Sequence, residues 1–481
     1  MTDLDVVVVG AGPNGLTAAV TLARAGLAVL VVERGQTIGG GARTAEVTLP
    51  GFRHDLGSAV HPMAVASPFF RRFRLAERIR MITPELSYAH PLDGGRAALA
   101  WRDLDRTADE LRRDGDAWRR FFAPLVAEWS GVARFTGGSV LRPPAQPVVA
   151  ARFGLRAIEQ GTPLWNLRWH DAEARALLTG VMAHTIRPLP SIGPAAAGIA
   201  LAAAAHAGGW PIPEGGSQAI VDALAADLVA HGGRIVTDQE VRSLADLPPH
   251  RAVVLDTSVP ALLAIAGDRV PWRLAVQLRR FRFGNGVGKV DFALDAPVPW
   301  AAPAARRAGT LHLGGDRAEL AATEAAVAAG RVPEHPFVLV AQPSVHDATR
   351  APAGKHVLWT YAHLPAGSAL DPTELVTARI ERFAPGFREL VLAANARSAL
   401  DVQRWNPNYG GGDIATGRTD LRQLLARPVV SADPWHLGRG LYLCSAATAP
   451  GPGVHGQGGY QAARSLLRRE FGVRTPPRLS P

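Results

Sequence analysis

Six residues near the start of the chain, Gly10-Ala11-Gly12-Pro13-Asn14-Gly15, have the spacing G-x-G-x-x-G. They follow the β-branched run 5–9 and precede an Ala/Leu-rich stretch that Gly26 ends, and a second apolar run, 28–32, leads to Glu33. In a strand–helix–strand unit, glycines at these positions allow a tight turn, bring the backbone close to a pyrophosphate and let helix and strand pack closely. The helix N-terminus binds the phosphates, and an acid about twenty residues on accepts hydrogen bonds from a ribose. These residues therefore predict a dinucleotide site.

Two further glycine-containing segments follow the second strand. They are Gly39-Gly40-Gly41-Ala42-Arg43-Thr44 and Gly51-Phe52-Arg53-His54-Asp55-Leu56-Gly57. Here the chain resembles the GG-doublet flavoproteins, which include amine oxidases, protoporphyrinogen oxidases and bacterial-type phytoene desaturases. The resemblance implies FAD rather than NAD, with Gly40 and Gly41 at the pyrophosphate and Gly57 beside the flavin ring. The family usually has Arg directly after the glycine pair, whereas this chain has Gly41 there and Arg43 two places later; we assign Arg34 and Arg43 to the cofactor site.

Two later segments extend the same resemblance. Pro213-Glu214-Gly215-Gly216 resembles the family's entry to the helix where the chain returns to the FAD domain, and implies that a backbone group near Val241 meets the adenine. Residues 440–456 are similar to the end of the phytoene-dehydrogenase-like branch, which includes the group called pyridine nucleotide-disulfide oxidoreductase domain protein 2. That resemblance implies FAD contacts and two residues that face flavin or substrate. The implied contacts are Ala446, Gly453 and Val454, and the implied facing residues are His455 and Tyr460.

The composition excludes several classes of function. The 481 residues carry a net charge of +10 but contain no basic run or module that indicates nucleic-acid binding. The single cysteine, Cys444, excludes an internal disulfide and dithiol chemistry, and we expect a cytoplasmic protein without a signal peptide. No apolar run reaches the eighteen or so residues that a membrane span requires. No second G-x-G-x-x-G occurs in strand–helix context, which argues against a built-in NADPH site. No metal site is expected.

Two side chains outside the glycine-containing segments are candidates for chemistry. His61 follows the predicted flavin loop, where it is either an acid, a base or a hydrogen-bond donor to substrate, or a structural histidine bonded to a backbone carbonyl. Lys289 lies in an alternating strand, 286–294, where amine oxidases of the superfamily place a lysine that holds a water against the flavin; the alternative is an edge-strand lysine facing solvent. We assign catalytic roles to His61, Lys289, His455 and Tyr460.

One basic and aromatic stretch leaves the question of membrane contact open. Residues 269–283 mix arginines with Trp272, Phe281 and Phe283. The stretch either lies on an anionic membrane surface as a peripheral contact or is a solvated element whose arginine stems cover apolar surface.

These observations predict an α/β protein with two discontinuous domains. A Rossmann-type FAD-binding domain is expected from residues 1–65, 208–260 and 406–475, and a mixed α+β substrate domain from 66–207 and 261–405. The expected reaction is hydride removal from an apolar or partly apolar substrate to form a C=C bond, with oxygen or a quinone as electron acceptor. The alternatives are amine-oxidase-like C–N oxidation, a flavin-dependent isomerase, and a flavoprotein partner with little turnover. Substrate identity and oligomeric state stay open.

Overall fold

The structure is a computed structural model that describes residues 4–481, so that the first three residues of the predicted FAD-binding domain lie outside the described part. It contains two large sheets and two short strand pairs. The strands are β1 (Leu4–Val9), β2 (Val29–Val32), β3 (Thr44–Glu46), β4 (Arg53–Asp55), β5 (Met81–Ile82), β6 (Leu86–Leu92), β7 (Arg96–Trp101), β8 (Ile212–Pro213), β9 (Arg234–Val236), β10 (His250–Leu255), β11 (Gly286–Leu294), β12 (Thr310–Leu313), β13 (Val338–Ala341), β14 (His356–Leu364), β15 (Val391–Arg397), β16 (His436–Gly438) and β17 (Leu441–Leu443).

The helices cover the faces of these sheets. They are α1 (Pro13–Ala23), α2 (Pro62–Ala66), α3 (Pro68–Phe73), α4 (Leu75–Arg78), α5 (Leu104–Glu110), α6 (Gly115–Ala127), α7 (Trp129–Thr136), α8 (Pro147–Gln160), α9 (Trp165–Arg168), α10 (Ala172–Met182), α11 (Ile192–Ala207), α12 (Gln218–Ala230), α13 (Val259–Ala266), α14 (Trp272–Leu278), α15 (Arg317–Ala328), α16 (Pro343–His346), α17 (Thr373–Phe383), α18 (Ala399–Trp405), α19 (Leu421–Leu425) and α20 (Gln457–Glu470). Within residues 4–481, no helix combines the length and the apolar character needed to cross a membrane.

The first sheet has the order β16-β17-β10-β1-β2-β9. Its central strands are parallel, with β1 between β10 and β2. Because both faces are covered, alternate residues of β1 enter two different cores: Val6 and Val8 pack with α1, α12 and α20, whereas Val7 and Val9 pack with α13 and α14. This explains why the strand is an unbroken apolar run. The protein is an α/β protein with a Rossmann-type FAD-binding domain, as predicted. All six strands come from the segments assigned to that domain, whose boundaries stay a prediction.

The second sheet has the order β15-β11-β14-β13-β12-β6-β7. One face packs on the helical segment α5–α11, and the other packs on α17. Within the segment 66–207, residues 86–101 form the antiparallel hairpin β6–β7, and most of the other residues lie in helices. The turn between these strands contains Gly94 and Gly95, both with positive φ, and Asp-Gly-Gly is a strong hairpin signal that the sequence interpretation missed.

Candidate functional site

The turn between β1 and α1 has the geometry that the glycine spacing predicts. Gly12 is the N-cap of α1 and Pro13 begins the helix, so the first helical N–H groups have no partner within the helix. A side chain at Gly15 is excluded, because a Cβ there would lie 2.2 Å from the carbonyl oxygen of Gly10. Gly10 itself has φ +101°, which favours glycine. The N-terminus of α1 can therefore approach a phosphate closely.

A carboxylate from the neighbouring strand lies over this turn. Asp256 directly follows β10, and its Oδ2 accepts a hydrogen bond from the backbone N–H of Gly15 at 2.9 Å. The pKa of Asp256 is raised to about 7, mainly by burial and also by the charge of Glu33, while the hydrogen bonds from the N–H groups of Gly15 and Gly12 act in the opposite direction. The turn thus binds an acidic oxygen with the backbone groups that a phosphate would use.

Glu33 lies at the end of β2, at the other side of the turn. Its Oε2 accepts a hydrogen bond from Ala11 N–H and its Oε1 accepts one from Gly35 N–H, both at 2.8 Å. These bonds fix the carboxylate at the rim of the cavity, and each oxygen keeps a further lone pair. The arrangement is suitable for accepting hydrogen bonds from ribose hydroxyls.

The second glycine segment packs against the first. A Cβ on Gly40 would lie 3.1 Å from the Cα of Gly12, and one on Gly57 would lie 2.2 Å from the carbonyl oxygen of Gly41. Arg43 stacks on the ring of Trp405 at 4.7 Å, and burial lowers the pKa of its guanidinium. Side chains are excluded where these backbones meet, which leaves a channel that an extended dinucleotide can follow.

One continuous cavity, with a volume of about 1110 Å³, joins these features to the second sheet. Gly15 does not line it and acts in helix–strand packing instead. The other predicted cofactor residues all line it, namely Gly10, Gly12, Pro13, Asn14, Glu33, Arg34, Gly40, Gly41, Arg43, Gly57, Val241, Ala446, Gly453 and Val454. The residues present therefore fit FAD: the N-terminus of α1 would hold its phosphates, Glu33 a ribose, and the backbone near Val241 the adenine.

His61 lines the cavity and has one free nitrogen. Its Nε2 lies 2.7 Å from the hydroxyl oxygen of Ser217, and that hydroxyl donates to the carbonyl oxygen of Ser58 at 2.6 Å. Because the serine proton is already donated, Nε2 carries the imidazole proton and Nδ1 is left bare, without a hydrogen-bond partner. Burial lowers the pKa of His61 to about 4, so the ring is neutral at pH 7. The neutral ring can accept a proton at Nδ1, but its lowered pKa makes it a weak base.

His455 also lines the cavity, but both of its ring nitrogens are in use. Nδ1 accepts a hydrogen bond from Gln457 N–H at 3.0 Å, so Nε2 carries the proton and donates to the carbonyl oxygen of Gly451 at 3.2 Å. Tyr460 does not line the cavity. It is buried against Phe69, and its hydroxyl oxygen accepts a hydrogen bond from the guanidinium of Arg72. These positions give no support to catalytic roles for His455 and Tyr460.

Lys289 lies on β11 in the cavity wall and is buried. Its ammonium donates to Asp291, two residues along the same strand, and stands 5.3 Å from the centre of the Trp359 ring. Burial lowers the pKa of Lys289, while Asp291 acts in the opposite direction. Trp359 in turn donates its indole N–H to the carbonyl oxygen of Gly57 at 2.9 Å. The solvent-facing alternative is therefore wrong, and the lysine lies at the Gly57 end of the cavity.

The substrate part of the cavity is mostly apolar. Its floor is the face of the second sheet, and its walls come from the helical segment. The lining residues here include Phe153, Ile192, Ala196, Trp210, Val287, Leu339, Trp359 and Tyr361. The entrance is marked by Val140, Ile158 and Leu421, which line the cavity and are 43–54% exposed.

The sequence interpretation missed several of these residues. Asp256 follows a buried strand that is parallel to β1. Because the carboxyl ends of parallel strands lie at the same edge of a sheet, the position of Asp256 after this strand could have placed it at the glycine turn. Trp359 and Tyr361 alternate along β14 and so share a face. His184 also lines the cavity and falls in a proline-interrupted stretch, but no pattern in the sequence singled out this histidine.

Comparison with known proteins agrees with this architecture. Residues 8–73 match the family model described as an NAD(P)-binding Rossmann-like domain. The chain is 27% identical to pyridine nucleotide-disulfide oxidoreductase domain-containing protein 2 of Rattus norvegicus, over 97% of this chain and 94% of the relative. Over 141 residues it is 33% identical to hydroxyneurosporene desaturase of Rhodobacter capsulatus, covering 28% of each chain. The solved structure of putrescine oxidase bound to putrescine matches with a TM-score of 0.61 and 18% identity, over 98% of this chain and 99% of that chain, and this likeness shows the fold.

Proposed function

We propose that this FAD-dependent oxidoreductase removes a hydride from an apolar or partly apolar organic substrate and forms a C=C bond, as a phytoene-dehydrogenase-like desaturase does. The observation that carries the proposal is the distribution of charge in the cavity. Among the described lining residues, the carboxylates are Glu33, Glu240 and Asp256, and all three lie at the dinucleotide end. A cationic substrate would therefore have no counter-charge in the apolar part.

The chain's own residues supply positioning, exclusion of water and a proton acceptor. FAD, when bound, supplies the acceptor for the hydride. The apolar walls hold the substrate against the Gly57 end of the cavity, where water is excluded. We assign His61 to take the proton from the carbon next to the one that loses the hydride, because its bare Nδ1 belongs to a neutral imidazole. Loss of one hydride and one proton from adjacent carbons leaves the C=C bond.

The proposal also assigns a role to Lys289. Its buried ammonium is a fixed positive charge at the Gly57 end, held by Asp291 and Trp359. Such a charge stabilises electron density that develops beside it. We therefore assign Lys289 to the redox end of the cavity and His61 to the proton.

The name of the Rhodobacter relative, hydroxyneurosporene desaturase, supports the same chemistry for this chain. The apolar entrance supports a lipophilic small-molecule substrate, and we propose oxygen or a quinone as the electron acceptor. Peripheral contact with a membrane is proposed at α14, where Trp272 is 71% exposed.

A second candidate is C–N oxidation. Trp359 and Tyr361 meet edge to face, with ring centroids 5.2 Å apart, and Lys289 lies beside Trp359. An aromatic pair next to a lysine is the arrangement that the resemblance to amine oxidases implies, and the fold of putrescine oxidase is similar. A neutral amine with an apolar body fits this cavity better than a dication.

The experiment is an anaerobic mixing study on the purified protein with its flavin. We expect lipophilic alkenes or polyenes to bleach the flavin absorbance and to yield a product with one more C=C bond. Bleaching by amines alone supports C–N oxidation instead. Product formation without net oxidation indicates an isomerase, and a flavin that no substrate class reduces contradicts the desaturase and favours a protein with little turnover.

A further inference from the structure

The inner end of the cavity contains a polar recess within otherwise apolar walls. We define the recess as His184 and Thr310, which line the cavity, together with His312, which is hydrogen-bonded to His184. Thr310 and Tyr88 are paired in register on β12 and β6, and His312 is the next residue on the same face of β12. Trp210 packs on Tyr88, with ring centroids 4.7 Å apart, and closes one side.

The recess lies far from Lys289 along the floor of the cavity. Lys289 is in register with Tyr361, Tyr361 with Leu339, and Leu339 with His312. These four residues therefore form one row across β11, β14, β13 and β12. Three strand spacings separate the two ends of the row, which is roughly 14 Å. A substrate that reacts at the Gly57 end and reaches the recess must be elongated.

Polar atoms in the recess lack partners. Thr310 is a lining residue that is 1% exposed, and its buried hydroxyl oxygen has no hydrogen bond with the described residues. His184 and His312 share one hydrogen bond, Nε2 to Nε2 at 2.7 Å, in which one ring donates and the other accepts. No hydrogen bond to His184 Nδ1 occurs within residues 4–481. A buried hydroxyl without a partner costs free energy, which a ligand atom bound there would recover.

The recess is also neutral. Burial lowers the pKa of His184 to about 3, and the neighbouring His363 acts in the same direction. Burial lowers the pKa of His312 well below its usual range. Among the described residues, the titratable groups that act on these two pKa values are all histidines, and Glu324 is paired with one of them, His363. A carboxylate bound here would lack a counter-charge, whereas a hydroxyl or carbonyl oxygen would not need one.

We propose that the recess binds a neutral oxygen, a hydroxyl or a carbonyl, at the far end of an elongated apolar substrate. The inference rests on the proposed function and specifies its substrate class: a partly apolar molecule with one neutral oxygen, long enough to span the roughly 14 Å between the Lys289 and His312 positions. Thr310 and His184 are then specificity-determining residues that set which carbons meet the redox end.

The test measures binding to the flavin-loaded protein, without turnover. The probes are n-decane, 1-decanol and decanoate, and the readout is quenching of tryptophan fluorescence, since Trp210 and Trp359 line the cavity. We expect Thr310→Val to weaken decanol about 3- to 10-fold and to leave decane unchanged, the size of one neutral hydrogen bond. The native protein should bind decanol more tightly than decanoate at pH 8.

Tyr88→Phe is the matched control, because it removes a buried unpartnered hydroxyl that does not line the cavity. It should change neither the affinity for decanol nor the affinity for decane. His184→Phe keeps a ring against Trp210 and should also weaken decanol selectively. If Thr310→Val affects decanol and decane equally, or affects neither, the recess has no such role. If the protein prefers decanol in this way but oxidises no substrate, the result supports the recess and contradicts the desaturase. If the protein forms C=C bonds but shows no preference for decanol, the result supports the desaturase and contradicts the recess.

Discussion

Asp256 Oδ2 accepts a hydrogen bond from the backbone N–H of Gly15 at 2.9 Å, across 241 residues of sequence. The bond places an acidic side chain at the N-terminus of α1, where the fold provides a site for phosphate. Two anions cannot share this position without repulsion. Protonation of Asp256 removes the repulsion and supplies a donor to the phosphate oxygen.

The affinity for FAD should depend on pH through Asp256. Its pKa is raised to about 7, so the carboxyl is neutral below that value and ionised above it. FAD should therefore bind more weakly as the pH rises from 6 to 8, by up to about tenfold per unit above pH 7. Asp256→Asn should remove this dependence, measured by titrating the apoprotein with FAD and following flavin fluorescence. Asp222→Asn, at an exposed position on α12, should keep the native profile. A flat native profile contradicts the role of Asp256.

Gly15→Ala should prevent FAD binding for a steric reason. The new Cβ would lie 2.2 Å from the carbonyl oxygen of Gly10, so helix and strand must separate. We expect a lower melting temperature and a protein purified with little flavin. Gly154→Ala on α8 is the control, because a Cβ there meets no atom within 4 Å. That variant should be as stable as the native protein or more stable by about 0.5–1 kcal/mol. Normal flavin content in Gly15→Ala would falsify the packing role.

The ion pair of Asp55 and Arg350 should connect the flavin loop to the second sheet. Both side chains are fully buried, and Arg350 Nη2 donates to Asp55 Oδ2 at 2.7 Å. Arg350→Met leaves the carboxylate unpaired and should lower the free energy of unfolding by about 3–5 kcal/mol in urea. Arg307→Met breaks an exposed pair with Glu85 and should cost about 0–1 kcal/mol. Equal losses in the two variants would contradict the linking role.

The same pair sets a dependence of stability on pH. Burial acts to raise the pKa of Asp55, but Arg350 and the hydrogen bonds from Ser217 and Thr44 outweigh it, so that the pKa is lowered. A carboxyl with a lowered pKa in the folded state binds fewer protons than in the unfolded state. Its contribution is therefore present above the ordinary pKa near 4 and is lost as the pH falls through the folded value. Urea midpoints at decreasing pH should fall less steeply in Asp55→Asn.

The two lysines of the chain form a natural pair for mutation. Lys289→Met removes the buried ammonium and leaves Asp291 without its ion-pair partner, with His54 at 3.8 Å and the charge of Arg397 acting from farther away. We expect a loss of stability of about 3–5 kcal/mol and, per bound flavin, at least tenfold slower reduction by substrate. Lys355→Met affects only an exposed pair with Asp295 and should change neither quantity beyond about 0.5 kcal/mol. If Lys289→Met loses stability but reduces its flavin at the native rate, the lysine has a structural role alone.

Membrane contact should depend on Trp272. This residue is on α14, in the arginine-rich stretch 269–283, for which the sequence did not decide between membrane contact and a solvated element. It is 71% exposed. Trp272→Ser should lower sedimentation with vesicles that contain anionic lipid, because it removes the largest exposed apolar group of the helix. Neutral vesicles should bind weakly in both cases. Sedimentation that is independent of both Trp272 and lipid charge would exclude α14 as the contact.

The sequence by itself determined the dinucleotide end of the site. Strand, turn, helix and acid are contiguous in residues 4–33, and the positive φ of Gly10 and the close contact of Gly15 with Gly10 fix their geometry locally. Short-range rules therefore suffice, and the predicted cofactor residues other than Gly15 line the cavity.

Only the tertiary structure decided the substrate end. The sequence did not reveal that Lys289 would lie beside Trp359 in the cavity wall, that His184 would reach His312 or, at the dinucleotide end, that Asp256 would meet Gly15. These contacts depend on strand order and register in two sheets, which arise from burial of apolar faces over long sequence separations. For the same reason, His455 and Tyr460 had suitable residue types, but packing placed them in structural hydrogen bonds.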